Sequence, residues 1–178
     1  MTELNDDAWE CAACGYHLAS PLRDDLTHVA WHEAGHAVMR WRLGTPPGAI
    51  CLHPDGSGFS APATPWQVIE THDLLLITLA GIASEVGGRL GQLNLETSKA
   101  DDLDAARALL TPAYRAARFA PRRLTQQQAL RQYYDEACTL WWQDFDLVEA
   151  VAEALLDARV LSAADLCAIL PATGAKDA

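Results

Sequence analysis

The sequence predicts a mainly α-helical domain that carries one small β-hairpin. The chain has 178 residues, of which 50% are hydrophobic, so it can bury a core of ordinary size. Helix-start signals and helical apolar spacing recur along most of it. Glycines and prolines interrupt one short stretch, residues 48–63, which indicates a tight turn between short strands. We therefore expect about six helices and one hairpin, the mainly α class.

The elements are expected in a simple order along the chain. The predicted helices are 25–43, 64–86, 98–110, 125–142, 146–158 and 162–170. Capping boxes open two of them, at residues 64–67 and 125–128. The second helix is apolar nearly all round, which is typical of a buried central helix. The hairpin strands are 49–52 and 59–61, and an Asp-Gly turn at Asp55 joins them.

Charge and cysteine content limit the classes of partner. There are 13 Lys and Arg against 24 Asp and Glu, a net charge of −11. Nucleic acids and anionic membrane surfaces attract clustered basic residues, so neither is expected as a partner. An apolar run long enough to cross a membrane does not occur, and the acidic first residues do not resemble a secretory signal. The five cysteines are an odd number, and we expect a cytoplasmic protein without a disulfide framework.

The first predicted helix contains His32-Glu33-Ala34-Gly35-His36, an HExxH motif. Residues four apart lie on one face of a helix, so His32 and His36 can present two imidazoles to one metal ion. Glu33 is placed to accept a proton from a water activated by that ion, as a general base. The motif therefore predicts a zinc site with hydrolytic chemistry.

A catalytic zinc ion usually has three protein ligands, and spacing alone does not identify the third. The chemically able candidates are Glu70, His72, Asp73, Glu85, Asp101, Asp102 and Asp104.

Three blocks of sequence resemble the FtsH-type zinc peptidases, the proteolytic domains of the membrane-anchored AAA proteases. The HExxH helix, residues 29–38, is similar to the zinc-binding helix of that family. Residues 79–86 are similar to its buried "LAGRAAEEI" helix, and residues 98–106 to its "GASNDLEQAT" segment. The resemblance covers roughly residues 27–170 in order, and it implies an FtsH peptidase-like fold.

The resemblance also implies particular roles for residues. The third zinc ligand of the family falls on Asp102, and Asp101 occupies the usual Asn position. An edge strand of the family binds the substrate backbone, and here it corresponds to Gly58, Phe59 and Ser60. Strand addition of this kind accepts many sequences, because backbone hydrogen bonds supply the affinity.

These observations together predict a zinc metalloendopeptidase that cuts peptides or unfolded segments. The alternative is a catalytically silent zinc-binding regulatory or interaction module with the same fold. The sequence contains no GxxxxGK[ST] phosphate loop and no membrane span, so we expect a free-standing domain that uses a separate ATPase or adaptor, if any. Peptidase domains of the FtsH-type family tend to form rings, so the resemblance is also compatible with a homo-oligomer.

We expect three regions along the chain. Residues 1–26 form an acidic N-terminal extension, residues 27–170 the zinc peptidase domain, and residues 171–178 a C-terminal tail. The extension contains Cys11-Ala12-Ala13-Cys14, which resembles half of a zinc knuckle. Such a site could be completed by His17, His28, Cys51 or His53. The simpler interpretation is that the cysteines are reduced and bind no metal.

Overall fold

A computed structural model describes residues 9–10, 17–18, 26–64, 69–88, 101–110 and 124–172. Within these ranges the protein is mainly helical, as predicted, and has two small antiparallel sheets, one of two strands and one of three. The helices are α1 (Thr27–Arg42), α2 (Thr71–Gly88), α3 (Asp101–Leu109), α4 (Gln126–Gln143), α5 (Phe145–Ala158) and α6 (Ala163–Ile169). The strands are β1 (Trp9–Glu10), β2 (His17–Leu18), β3 (Pro47–Leu52), β4 (Gly58–Pro62) and β5 (Val160–Leu161). None of the described helices has the length and apolar character needed to cross a membrane.

The predicted hairpin is confirmed as the antiparallel pair β3–β4. Cys51 lies opposite Phe59 and Leu52 opposite Gly58 in its register. Gly56 has a φ of 87° in the turn, a left-handed conformation that glycine adopts at little cost. The hairpin follows directly after α1, so its second strand returns alongside that helix.

The sheet that contains the hairpin has a third strand, which was not predicted. β5 pairs antiparallel with β3, so the sheet has the order β4-β3-β5. It contains only Val160 and Leu161, and two residues are too few to show the alternating pattern by which a strand is recognised.

The predicted start of the second helix is wrong. Most of the expected capping box at 64–67 lies outside the described residues, but Ile69 and Glu70 are not helical and α2 begins at Thr71. β-branched Ile69 disfavours a helix, whereas Asp73 in the first turn of α2 is stabilised by the helix dipole. The predicted cap at Ser98 also lies outside the described residues.

The last helices begin as the sequence indicates. Thr125 and Gln128 form a reciprocal capping box at the start of α4, with N–H···O distances of 2.9 and 3.1 Å. Ser162 and Asp165 do the same for α6. Each box satisfies backbone N–H groups that the first turn of a helix leaves without partners.

The core has two parts, and α1 separates them. One part packs α1 against the sheet, α5 and α6, through residues such as Val38, Ile50 and Leu155. The other part packs α2, α3 and α4 together, and Met39 of α1 contributes to it. Helix α1 therefore has buried neighbours on opposite sides, which holds its HExxH segment in a fixed orientation.

Helices α1 and α2 approach closely at Gly35. A Cβ atom at this position would lie 2.1 Å from Oγ of Ser84 and 2.6 Å from the carbonyl oxygen of Ala80. Both distances are far below van der Waals contact, so only glycine allows this separation of the helices.

We expect Gly35→Ala to lower the free energy of unfolding by about 1–3 kcal/mol, because the added methyl group forces α1 and α2 apart. Chemical denaturation of the full chain measures this change. His28→Ala, on the exposed face of the same helix, is the control and should stay within about 0.5 kcal/mol of the wild type. Equal stability of the Gly35→Ala protein would show that the helices can separate without cost.

Candidate metal centre

Helix α1 brings the two histidines of the motif together. His32 and His36 are one turn apart on the same face, and their Nε2 atoms lie 3.0 Å from each other. The rings meet edge to face, with centroids 4.6 Å apart. Two imidazole nitrogens thus point at one location between α1 and its neighbours.

The first turn of α3 supplies a carboxylate at the same location. Oδ2 of Asp102 lies 2.8 Å from Nε2 of His32 and 3.0 Å from Nε2 of His36. Among the described residues these three side chains form the one group of three or more ligating side chains whose donor atoms converge. The structure thus brings together the three residues that the sequence analysis assigned to the metal.

The group contains none of the other candidates that the sequence left open, which are Glu70, His72, Asp73, Glu85, Asp101 and Asp104. Three of these have different partners, one of them His72, whose Nε2 lies 3.4 Å from Oε1 of Glu136. Glu85 contacts the opposite nitrogen of His32, and Asp104 forms an ion pair with Arg107 at 2.6 Å. Asp101 lies next to Asp102 and lines the same cleft without joining the group.

The second nitrogen of each imidazole lies close to an oxygen atom. Nδ1 of His36 donates to the carbonyl oxygen of Ile77 over 2.7 Å, and a carbonyl oxygen can only accept. Nδ1 of His32 lies 2.9 Å from Oε1 of Glu85. In the neutral imidazoles both Nδ1 atoms then hold the proton, and both Nε2 atoms offer lone pairs.

Three electron-pair donors within about 3 Å repel one another unless positive charge lies among them. In the protein without metal, burial lowers the pKa of His32, but hydrogen-bonding contacts with Asp102 and Glu85 outweigh it and raise that pKa to about 10. The pKa of Asp102 shifts the other way, because contacts with His32 and His36 outweigh the effect of burial and lower it. The group can therefore hold a cation, and without metal a proton on His32 supplies positive charge at the same place.

The donor set fits a divalent ion of zinc type. Two imidazole nitrogens and one carboxylate oxygen are common zinc ligands, and tetrahedral zinc places such atoms about 3.3–3.4 Å apart. The observed separations of 2.8–3.0 Å are within a few tenths of an ångström of that value. Three protein ligands leave one coordination position for water or substrate, as in catalytic zinc sites.

Gly81 of α2 provides the space for the two imidazoles. A Cβ atom at Gly81 would lie 2.5 Å from Nε2 of His36 and 2.7 Å from Nε2 of His32. Any side chain here would occupy the position of the metal ligands. The sequence predicts no role for this glycine, which lies within the block of residues 79–86 that resembles the FtsH-type peptidases.

Glu33 lies beside the donor group without belonging to it. Its side chain is only 6% exposed and lines the cleft. Burial raises the pKa of its carboxyl group above the usual range, because a buried carboxylate loses its hydration. A carboxylate with a raised pKa is a stronger base, which suits transfer of a proton.

The hairpin forms the opposite wall of the cleft. The cleft has a volume of about 360 Å³ and is lined by His32, Glu33, His36, Gly58, Phe59, Ser60, Asp101 and Asp102. A Cβ atom at Gly58 would lie 2.5 Å from Oε1 of Glu33, so the glycine lets β4 approach the carboxylate. Within the described chain β4 is an edge strand, since only β3 pairs with it.

The structure thus places all seven residues assigned from sequence at one cleft. Sequence reasoning missed the orienting roles of Glu85, Ile77 and Gly81. Glu85 had a signal, since it is an acidic residue in the largely apolar C-terminal half of α2. The role of Ile77 had no signal in the sequence, because its backbone carbonyl is the acceptor and every residue has a backbone carbonyl.

Comparison with known proteins adds no family assignment, since no protein-family model matches this chain and no curated protein matches it significantly in sequence. The assignment of the site therefore depends on its own geometry.

We expect Asp102→Asn to remove most bound metal, because a neutral amide is a much weaker ligand than a carboxylate. Metal content of the purified protein measures this directly. Asp101→Asn is the matched control, with the same chemical change one residue away, and it should retain the metal. The reverse result would assign the third ligand to Asp101.

Glu85→Gln should weaken zinc affinity by about 10–100-fold, because the neutral amide no longer supports His32 as a ligand. Competition with a chromogenic chelator gives the affinity. Glu136→Gln, at an exposed carboxylate on α4 that contacts His72, should bind zinc as the wild type does. Unchanged affinity in Glu85→Gln would mean that His32 is oriented without this contact.

Proposed function

We propose that this protein is a zinc-dependent metalloendopeptidase that hydrolyses peptide bonds in peptides or in unfolded and flexible protein segments. The observation that carries the proposal is the position of Glu33. A carboxylate that is almost fully buried lies between a three-residue metal centre and an open strand edge. The similarity of three sequence blocks to FtsH-type peptidases supports the same assignment, including the choice of Asp102.

The residues of the site fit the steps of peptide hydrolysis. His32, His36 and Asp102 would hold the ion, which when bound supplies a Lewis acid that polarises the substrate carbonyl and acidifies water. Glu33 accepts a proton at its carboxylate as the water oxygen attacks the carbonyl carbon. The carbon–nitrogen bond then breaks, and Glu33 returns the proton to the leaving nitrogen. Its raised pKa helps it to hold the proton between these two steps.

The strand edge supports an extended substrate. No second strand of the described residues pairs with the outer edge of β4, so this edge can pair with a substrate backbone, and Gly58 brings that backbone near Glu33. Phe59 is 39% exposed on the same strand and can contact substrate side chains. A folded substrate cannot present an extended segment to this edge, which supports the choice of peptides and flexible segments.

A catalytically silent zinc-binding module is the competing hypothesis. Burial of a carboxylate costs free energy, and a module that only holds zinc gains nothing from Glu33. The intact base therefore favours the enzyme.

We expect the purified protein to cleave casein or a flexible fluorogenic peptide, and a chelator to abolish the cleavage until zinc is restored. Glu33→Gln should lower kcat/KM by at least about 10²–10⁴-fold, because the general base is lost, while zinc content stays at the wild-type level. Glu153→Gln, at an exposed position on α5, is the matched control and should be fully active.

Two results would contradict the proposal in different ways. Full activity of Glu33→Gln would exclude the assigned general base. A wild-type protein that binds zinc but cuts no member of a diverse peptide library would support the silent module instead.

A further inference from the structure

Some of the residues singled out from the sequence take no part in the proposed function. Cys11 and Cys14 are among them, and they lie outside the described residues. Asp101 is another, although it is the first residue of α3 and lines the cleft without joining the group of converging donor atoms. Its side chain is exposed, so a molecule that enters the cleft can contact it.

Asp101 has no cationic partner among the described residues, unlike the other two acidic residues in the first turn of α3. Asp102 lies within 3.0 Å of both histidines, and Asp104 pairs with Arg107 at 2.6 Å. The residues that line the cleft include neither Lys nor Arg. The helix dipole favours negative charge at this first turn, but it supplies no side chain that covers the carboxylate of Asp101.

The cleft keeps a negative charge when a metal ion is bound. Glu33, Asp101 and Asp102 are its acidic residues, and its two histidines are neutral when they act as metal ligands. A divalent ion offsets two of these negative charges, so one remains. Asp102 belongs to the donor group and Glu33 lies beside it, which leaves the remaining charge mostly at Asp101. The net charge of −11 on the chain adds a field of the same sign.

We propose that Asp101 selects peptide substrates that carry Lys or Arg close to the cleaved bond. This inference rests on the proposed peptidase function and adds the substrate class. The three donor atoms mark the place of the cleaved bond, because the ion that they would hold polarises its carbonyl. Asp101 is the chain neighbour of the donor Asp102, so their Cα atoms are about 3.8 Å apart. A long, flexible basic side chain near that bond can therefore reach its carboxylate.

The two walls of the cleft have different tasks in this arrangement. β4 pairs with the substrate backbone, which supplies affinity with little sequence preference. The first turn of α3 lies at the same cleft as the hairpin and supplies the preference through Asp101. An ion pair that is partly exposed to water is weak, so we expect about 3–10-fold discrimination. Dissolved salt screens such a pair, and the discrimination should decline as ionic strength rises.

Matched fluorogenic peptides test the proposal on the zinc-loaded full chain. The peptides share one flexible sequence and differ at a single position beside the cleaved bond, which is Lys, Gln or Glu, and mass spectrometry of the products locates the cut. We expect kcat/KM to fall in the order Lys, Gln, Glu, with about 3–10-fold between the first two. Equal values for the three peptides would overturn the proposal.

Two variants show whether Asp101 causes the preference. Asp101→Asn should remove it, and Asp101→Lys should reverse it in favour of the Glu peptide. The readout is the ratio of kcat/KM between peptides, because a general loss of structure or metal lowers all three values together. Asp104→Asn, on the same helix but outside the cleft lining, is the matched control and should keep the wild-type ratio. A wild-type ratio in Asp101→Asn would overturn the proposal and leave Asp101 an ordinary N-terminal residue of α3.

Peptide binding distinguishes a failure of this proposal from a failure of the proposed function. Fluorescence anisotropy with labelled Lys and Glu peptides gives their Kd values for zinc-loaded Glu33→Gln, with and without Asp101→Asn. We expect tighter binding of the Lys peptide only where Asp101 is present. Selective binding without any cleavage by the wild type would contradict the peptidase and support the charge selection. Cleavage without any difference between the peptides, in rate or in binding, would do the reverse.

Discussion

The polar contacts of the metal centre depend on how closely α1 and α2 approach each other. Gly35 removes the side chain of α1 where it faces Ser84 and the backbone of α2. Gly81 removes the side chain of α2 where it faces the two imidazoles of α1. Only at this separation can the carbonyl of Ile77 accept from His36. Helix α2 thus packs directly against the two imidazoles and also accepts the hydrogen bond that orients His36.

The same group of side chains links α3 to α1. Helix α3 has only nine residues, and its buried residues are Leu103 and Ala106. Its carboxylate Asp102 nevertheless contacts both histidines of α1. A cation at this point would attract ligands of both α1 and α3, so free energy of metal binding would become free energy of folding.

The sequence predicted correctly those features that depend only on residues close together in the chain. The four-residue spacing of His32 and His36 is a property of any helix, and the box at Thr125 satisfies its own backbone. Asp102 is different, because the approach of α3 to α1 is a tertiary contact that spacing does not encode. The resemblance to a family supplied that residue, and the converging donor atoms agree with it. Strand β5 was missed because its pairing partner, β3, lies more than a hundred residues earlier in the chain.

The sheet has two edges within the described chain, and they differ greatly in length. β5 offers two residues of backbone, whereas β4 offers five. Long open edges are templates on which proteins aggregate, and many proteins cover them. Here the long edge opens onto a narrow cleft between the hairpin, α1 and α3. Gly58, Phe59 and Ser60 of this edge line the cleft together with the candidate metal ligands. The longer of the two edges is therefore the one that lies beside Glu33 and the three converging donor atoms.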